Sequence, residues 1–245
     1  MRDRVWLIGE GPLLEEMYAF LNERDWQVVI EGEPLRERRF SAVVDVRSGA
    51  IEEKETVLRR VEEWIDPSVP IFSSALHVSA TRIASWLKHP QRIYGFSPLL
   101  MAEKKIMEVS RPMQAEEEGW EKGRVFWERM GMHVEVVGDE PGLVFPRTLA
   151  LLVNEAALVL NEGIASREDI DRALCLGMNL PTGPLSWADR VGIDQVIWVL
   201  TGLVEELGDD RYRPTPLLRR MVYAGRTGVA VGRGFYTYEE SDAHA

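Results

Sequence analysis

At 245 residues, with 45% hydrophobic and 28% charged side chains, the chain is long enough for one or two domains with cores of their own. A net charge of −11, from 29 basic and 40 acidic residues, argues against nucleic acid or an anionic membrane as partner. A single cysteine, Cys175, rules out an internal disulfide, no apolar run reaches the roughly 18 residues of a transmembrane helix, and the opening Met-Arg-Asp-Arg-Val-Trp has no signal-peptide core, so a cytoplasmic location is expected.

Val5-Trp-Leu-Ile8 is a short apolar run that predicts a buried strand. The turn Gly9-Glu-Gly-Pro-Leu-Leu14 follows, and Leu14, Met17, Tyr18 and Leu21 then recur at helical spacing. Trp26 to Ile30 reads as a second strand, ending at Glu31. Strand, glycine turn, helix, strand and acidic residue is the layout of a dinucleotide-binding unit, which makes Gly9, Gly11 and Glu31 candidate cofactor-binding residues. Other features oppose a bound diphosphate. The third glycine of the fingerprint is Leu14, Glu10 sits inside the turn, and Glu15 and Glu16 are expected in the first turn of the helix, where carboxylates compete with an anionic ligand. Pro12 removes one N–H, although proline suits the first helical position. Two readings stay open here: a site for NAD, or a relic of the fold that keeps its two turn glycines.

The connection from Gly32 to Phe40 is charged and carries Arg36, Arg38 and Arg39, either as a solvated loop or as phosphate contacts. Ser41 to Val46 reads as the third strand and contains Asp45. Leu58, Val61 and Ile65 mark a helix, Val69 to Phe72 a strand, Ser73 to Ser79 a loop with His77 in it, and Ile83, Ala84 and Leu87 another helix. Arg92 to Phe96 and Lys105 to Val109 predict two more strands, Trp120, Phe126, Trp127 and Met130 a helix, and His133 to Val137 a last strand. The alternation predicts an α/β domain over residues 1–140, closed by Gly138-Asp-Glu-Pro-Gly142. No His, Cys, Asp or Glu spacing suggests a metal, and no Gly-x-Ser-x-Gly elbow occurs.

Residues 141–245 read as helices joined by short connections. Leu149, Leu152, Val153, Ala156 and Leu160 form one wide apolar stripe; Trp187, Val191, Ile193, Val196, Ile197 and Leu200 form another; Leu217, Leu218, Met221 and Val222 form a third. Ser166 followed by Asp169 predicts a capping box, and Cys175 is expected as a buried, inert thiol. The apolar content exceeds what one face needs, which points to a homodimer. Five segments come in a telling order: Asn154-Glu-Ala, Glu162 to Asp171, Pro181-Thr-Gly-Pro, Gly208-Asp-Asp-Arg-Tyr-Arg-Pro, and Gly232-Arg-Gly-Phe-Tyr. That order resembles the C-terminal domain of bacterial 3-hydroxybutyryl-CoA and 3-hydroxyacyl-CoA dehydrogenases.

The resemblance implies an abridged Rossmann-like domain followed by an all-α domain that forms the dimer. It also implies NAD as cofactor, acyl-CoA as substrate, and the interconversion of 3-hydroxyacyl-CoA and 3-ketoacyl-CoA in fatty acid metabolism. The family's helical arm for coenzyme A has no room between the second and third strands here. Asp45 takes the place of an acidic residue near the nicotinamide. The family's catalytic base is a histidine oriented by a glutamate, in a strand end that reads Gly-Leu/Met-His-Phe-Phe-Asn-Pro. This chain reads Gly95-Phe-Ser-Pro-Leu-Leu100, which puts Ser97 at the histidine position. The orienting glutamate corresponds to Glu108, the substrate-contacting serine to Leu76, and a further asparagine to Pro146. Two catalytic candidates remain. Glu108 is one, with a plain alternative as a strand-end carboxylate facing Arg111 or solvent. His77, one residue beyond Leu76, is the other. It either rebuilds a His–Glu pair from the opposite side or is a surface or structural histidine. The expected function is a 3-hydroxyacyl-CoA dehydrogenase-like oxidoreductase with impaired or altered chemistry. The alternatives are a non-catalytic dimeric binding or regulatory relative, or an enzyme using the same cleft on another substrate.

Overall fold

A computed structural model describes residues 3–33 and 39–239. Two of the arginines between the second and third strands, Arg36 and Arg38, lie outside the described residues, as does His244. The chain divides into two compact units, Met1–Val144 and Phe145–Ala245.

The first unit is built on a seven-stranded sheet. Its elements in chain order are β1 (Arg4–Ile8), α1 (Gly11–Asn22), β2 (Gln27–Ile30), β3 (Ala42–Asp45), α2 (Ile51–Trp64), β4 (Ile71–Ser74), α3 (Ala80–Ser85), β5 (Ile93–Phe96), α4 (Met101–Lys104), β6 (Ile106–Ser110), α5 (Glu117–Arg129) and β7 (His133–Val137). The strands lie in the order β2-β1-β3-β4-β5-β6-β7, and every pairing is parallel except β5 with β6. Strands β3, β4 and β5 are buried at every position, so their apolar residues stand side by side rather than alternating, and Asp45, Ser73 and Ser74 are buried polar residues at the strand ends. The chain leaves β1 toward β2 on one side and returns to β3 on the other, so a topological switch point falls between β1 and β3. Residues 31–41 alone carry the chain from β2 to β3, and β2 forms the sheet edge.

Packing fixes the phase of each helix. Leu13, Met17, Phe20 and Leu21 of α1 are buried, whereas Leu14 is half-buried and Tyr18 exposed, so the sequence stripe was rotated by one residue at its start. The helix begins at Gly11, with no acidic residue in its first turn; Glu15 and Glu16 fall in the second turn, against expectation. An aromatic layer joins sheet to helix: Phe72 stacks on Phe126 at 4.6 Å between centroids, and Phe96 lies 5.0 Å from Trp127. Gly123 of α5 lets the Tyr94 ring approach, since a Cβ there would stand 2.9 Å from that ring.

The second unit has α6 (Phe145–Asn161), α7 (Arg167–Met178), α8 (Pro184–Val191), α9 (Ile193–Leu207) and α10 (Pro216–Tyr223). Helix α6 packs on α8, α9 and α10. The stripe read as continuous from Trp187 to Leu200 is split between α8 and α9 at Gly192, whose φ of +94° lies in the region glycine tolerates. Ser166 caps α7 as its spacing predicts: its Oγ accepts from the Asp169 N–H at 3.2 Å and donates to the Asp169 carboxylate at 2.7 Å. Cys175 is half-buried rather than enclosed. No helix among the described residues is long and apolar enough to cross a membrane.

Candidate functional site

The switch point is framed by the end of β1, the start of α1 and the end of β3. Gly9 adopts φ +140°, and a Cβ on it would stand 2.7 Å from Val46 Cγ2, so only glycine fits. Gly11, at φ +69°, faces open space with nothing within 4 Å of a built Cβ. Glu10 is the N-cap of α1, but its side chain makes no capping hydrogen bond, so it does not consume the amides at that helix end. The turn and helix end therefore fit a diphosphate in shape.

The acidic residues near this turn are already engaged. Glu31 accepts from Arg47 Nη2 at 2.8 Å through Oε2 and from Arg60 Nη2 at 2.6 Å through Oε1. Arg47 Nη1 also lies 3.6 Å from Glu10 Oε1, so one guanidinium links the turn to Glu31. Asp45, expected beside the nicotinamide, is 0% exposed. It accepts from Lys54 Nζ at 2.7 Å, from Ser73 Oγ at 2.6 Å and from the Arg47 N–H at 3.0 Å. Lys54, 1% exposed, donates a second bond to the Arg47 carbonyl at 2.8 Å. Burial pulls the Lys54 pKa below its ordinary value, against the charge and hydrogen bond of Asp45. Asp45 and Lys54 thus hold the Arg47 peptide from both sides. Lys54 escaped the sequence reading, yet it falls four and seven residues before Leu58 and Val61, on the buried face of α2. A lysine on an apolar stripe is the signal that would have found it.

At the ends of β4, β5 and β6 the polar set is sparse. Ser97 is buried, and its Oγ meets no partner among the described residues. Leu76 is fully enclosed, and Pro146 is buried in α6. Glu108 Oε2 accepts the Val144 N–H at 3.2 Å, and the Glu108 carbonyl accepts the Ser97 N–H at 3.1 Å. Arg111, the plain partner expected for Glu108, pairs instead with Glu117 at 2.7 Å. His77 is 4% exposed, so it is not a surface histidine. Burial, then the charges of Lys54 and Arg82, push its pKa down to about 3. Asp139 secures the helix after His77 by accepting from the Ala80 and Thr81 N–H groups at 2.8 and 2.7 Å. Of the other histidines, His89 is half-buried and its N–H donates to Glu62, while His133 is exposed beside Glu135. Among the described residues no group of three or more His, Cys, Asp or Glu could hold a metal.

In the second unit the motif residues clamp backbone. Asp171 accepts from the Leu185 and Ser186 N–H groups at 2.9 and 3.0 Å, from Ser186 Oγ at 2.7 Å and from the Tyr236 hydroxyl at 2.9 Å. A Cβ on Gly183 would stand 2.2 Å from the Asp171 Cγ, which explains the glycine of Pro181-Thr-Gly-Pro. Asp189 accepts from the Phe235 and Tyr236 N–H groups, both at 2.8 Å, and from the Tyr238 hydroxyl at 3.0 Å. A Cβ on Gly234 would stand 2.0 Å from Asp189 Oδ1. Burial raises the Asp189 pKa even against those donors. Asn154 pairs with the Arg213-Pro-Thr loop, donating to the Arg213 carbonyl at 3.0 Å and accepting from the Thr215 N–H at 2.8 Å.

These clamps coincide with a known domain. Residues 142–238 match the family model described as 3-hydroxyacyl-CoA dehydrogenase, C-terminal domain. The chain is 37% identical over 190 residues to a probable 3-hydroxybutyryl-CoA dehydrogenase of Bacillus subtilis, across 76% of this chain and 66% of that protein. It is 34% identical over 188 residues to a probable 3-hydroxybutyryl-CoA dehydrogenase of Deinococcus radiodurans, across 76% of this chain and 67% of that protein. The chain belongs to the 3-hydroxyacyl-CoA dehydrogenase family. The crystal structure of FadB2 from M. tuberculosis shares the fold, with a TM-score of 0.84 at 23% identity over 97% of this chain and 99% of that one. Relative to the B. subtilis family member, the alignment spans 66% of the curated length.

Proposed function

We propose that the chain is a 3-hydroxyacyl-CoA dehydrogenase-like oxidoreductase whose proton handling departs from that of its family and whose ordinary turnover is slow. The observation that supports this reading is the burial of Ser97, the residue the resemblance sets against the family's histidine, with an Oγ that has no hydrogen-bond partner among the described residues. Family membership supports NAD as cofactor and a 3-hydroxyacyl-CoA as substrate. Gly9 and Gly11 would hold the diphosphate at the start of α1, and Glu31 would face the adenosine ribose once its guanidinium partners shift. When bound, NAD supplies the hydride acceptor. The chain's own residues must then take the hydroxyl proton. Serine has no basicity for that role, and losing a general base removes a factor of about 10²–10⁴ in rate.

Glu108 and His77 are the proposed remnants of proton handling. Glu108 is held by the Val144 N–H, and His77 is a neutral imidazole whose pKa of about 3 makes it a weak base at neutral pH. In domain terms, residues 1–140 would bind the cofactor without the family's coenzyme A arm, and residues 141–245 would form a homodimer in the cytoplasm. Exposed Leu176, Met178 and Tyr223 support the dimer reading.

NADH fluorescence titration followed by acetoacetyl-CoA turnover tests the proposal. Saturable NADH binding with turnover well below the common enzymatic range of about 1–10³ s⁻¹ is expected. Turnover within that range would overturn the impaired reading. Absence of NADH binding would favour the non-catalytic relative. Any measured turnover should vanish in His77→Ala if the imidazole serves as the base, and full activity in that variant removes it from the mechanism.

A further inference from the structure

We propose that Arg47 is the diphosphate-binding residue of this chain's dinucleotide crevice, supplying the positive charge that Glu10 denies to the glycine turn. The proposal rests on the nucleotide reading given above and adds a residue that the family resemblance does not assign.

Glu10, the N-cap of α1, is exposed and brings a carboxylate to the mouth of the glycine turn, beside the amides of the helix start. A dianionic ligand there meets repulsion unless a cation answers it. Arg47 is that cation by position. Its backbone abuts the turn, because its amide nitrogen lies 3.3 Å from a Cβ built on Gly9. Its guanidinium reaches both Glu10, at 3.6 Å, and Glu31, at 2.8 Å, so it spans the path from diphosphate to ribose.

Three further features let this side chain change partners. The peptide is fixed: Asp45 Oδ1 accepts its N–H and Lys54 Nζ donates to its carbonyl, so the side chain swings from a rigid base. Its contact with Glu10 is longer than a hydrogen bond, and its buried Nε–H meets no acceptor among the described residues, which leaves a donor for a phosphate oxygen. Glu31 is not stranded when Arg47 leaves, because Arg60 still donates to its other oxygen at 2.6 Å. As it stands, Arg47 neutralises Glu10 and Glu31. With a ligand it moves to the diphosphate and leaves an oxygen of Glu31 to the ribose hydroxyls.

The test is calorimetric and fluorescence titration of the full chain with NADH, ADP-ribose and adenosine, which needs no turnover. Arg47→Met keeps the stem and removes the charge. Its affinity for ADP-ribose and NADH should fall at least tenfold, while adenosine binding stays within twofold. Arg47→Lys should recover part of the loss, and Glu10→Gln should bind ADP-ribose several-fold more tightly than the unaltered chain. Equal or tighter ADP-ribose binding by Arg47→Met overturns the proposal, and so does an equal loss for adenosine, which would mark a structural role. If the unaltered chain itself fails to saturate with ADP-ribose and NADH, the nucleotide reading falls and this proposal with it. Unaltered binding with an unaffected Arg47→Met defeats the proposal alone.

Discussion

Replacing Lys54 by methionine is the sharpest test of how the first unit is held together. The ammonium sits 2.7 Å from Asp45 Oδ2, with the two side chains 1% and 0% exposed. Methionine fills nearly the same stem volume, so packing changes little. What changes is charge: Asp45 keeps Ser73 Oγ and the Arg47 N–H as donors but loses its counter-ion in a site closed to water. Breaking a buried pair by removing one partner costs about 3–5 kcal/mol. Against a total stability of about 5–15 kcal/mol, that is a large share of the fold. For a chain of this size the melting temperature should fall by about 10 °C, at roughly 2–4 °C per kcal/mol. Tryptophan fluorescence in a urea titration reads this unit well, because Trp6, Trp26, Trp64, Trp86, Trp120 and Trp127 lie in it. Removing both charges together, with Asp45→Asn and Lys54→Met, should recover part of the loss, since the amide oxygen still accepts the Arg47 N–H while its NH2 donates to Ser73 Oγ once that hydroxyl turns. A single variant within about 1 kcal/mol of the unaltered protein, or a double variant as unstable as the single, would refute the argument.

Other variants test separate parts of the structure. The folded state refuses a proton at His77 down to about pH 3, whereas the unfolded chain accepts one near 6.5, so stability present above 6.5 is lost as pH falls. Between pH 7 and 5 the unaltered protein should lose about 2 kcal/mol more than His77→Gln, at about 1.4 kcal/mol per pH unit; equal slopes in urea midpoints would contradict the burial account. In Gly234→Ala the new Cβ would meet Asp189 Oδ1 at 2.0 Å, and that carboxylate is pinned by the Phe235 and Tyr236 N–H groups. A loss of about 3 kcal/mol is expected, read as a lower melting transition of the second unit, and an unchanged transition would show that the clamp yields freely. Asn154→Ala strands the Thr215 N–H and the Arg213 carbonyl, and should cost about 1–3 kcal/mol by chemical denaturation.

The strands of the first unit were legible because β3, β4 and β5 are buried on both faces, which sets apolar residues side by side, as in Ala42-Val-Val44 and Ile71-Phe72. Helix phase was less legible. Leu13, Leu14, Tyr18 and Phe20 are all apolar, and only packing on the sheet selects Leu13 and Phe20. Glu15 and Glu16 were misplaced because helix starts are set by the turn geometry at Gly11 rather than by the first apolar residue. The site was harder still. Glu31 and Asp45 were visible as acids at the ends of the second and third strands, but their partners, Arg47, Arg60 and Lys54, leave no pattern that spacing alone reads. His77 illustrates the limit of the residue type: a loop histidine looks available, and its enclosure by neighbouring elements makes it neutral.

Kinship in this chain is carried by residues that hold the backbone. Asp171, Asp189 and Asn154 spend their oxygens on backbone N–H groups, and Gly183 and Gly234 are glycines because those oxygens leave no room for a Cβ. Replacing any of them injures the fold, so the segments around them mark the family whatever reaction the protein performs. Ser97, Leu76 and Pro146 are different: each is buried, and none of their side chains holds backbone by a hydrogen bond among the described residues. A change at such a position leaves the clamps standing. Function in this chain must therefore be read from Ser97, Glu108 and the Arg47 network, because the Gly-Phe-Tyr and Pro-Thr-Gly-Pro segments would look the same in an active enzyme and in one that only binds.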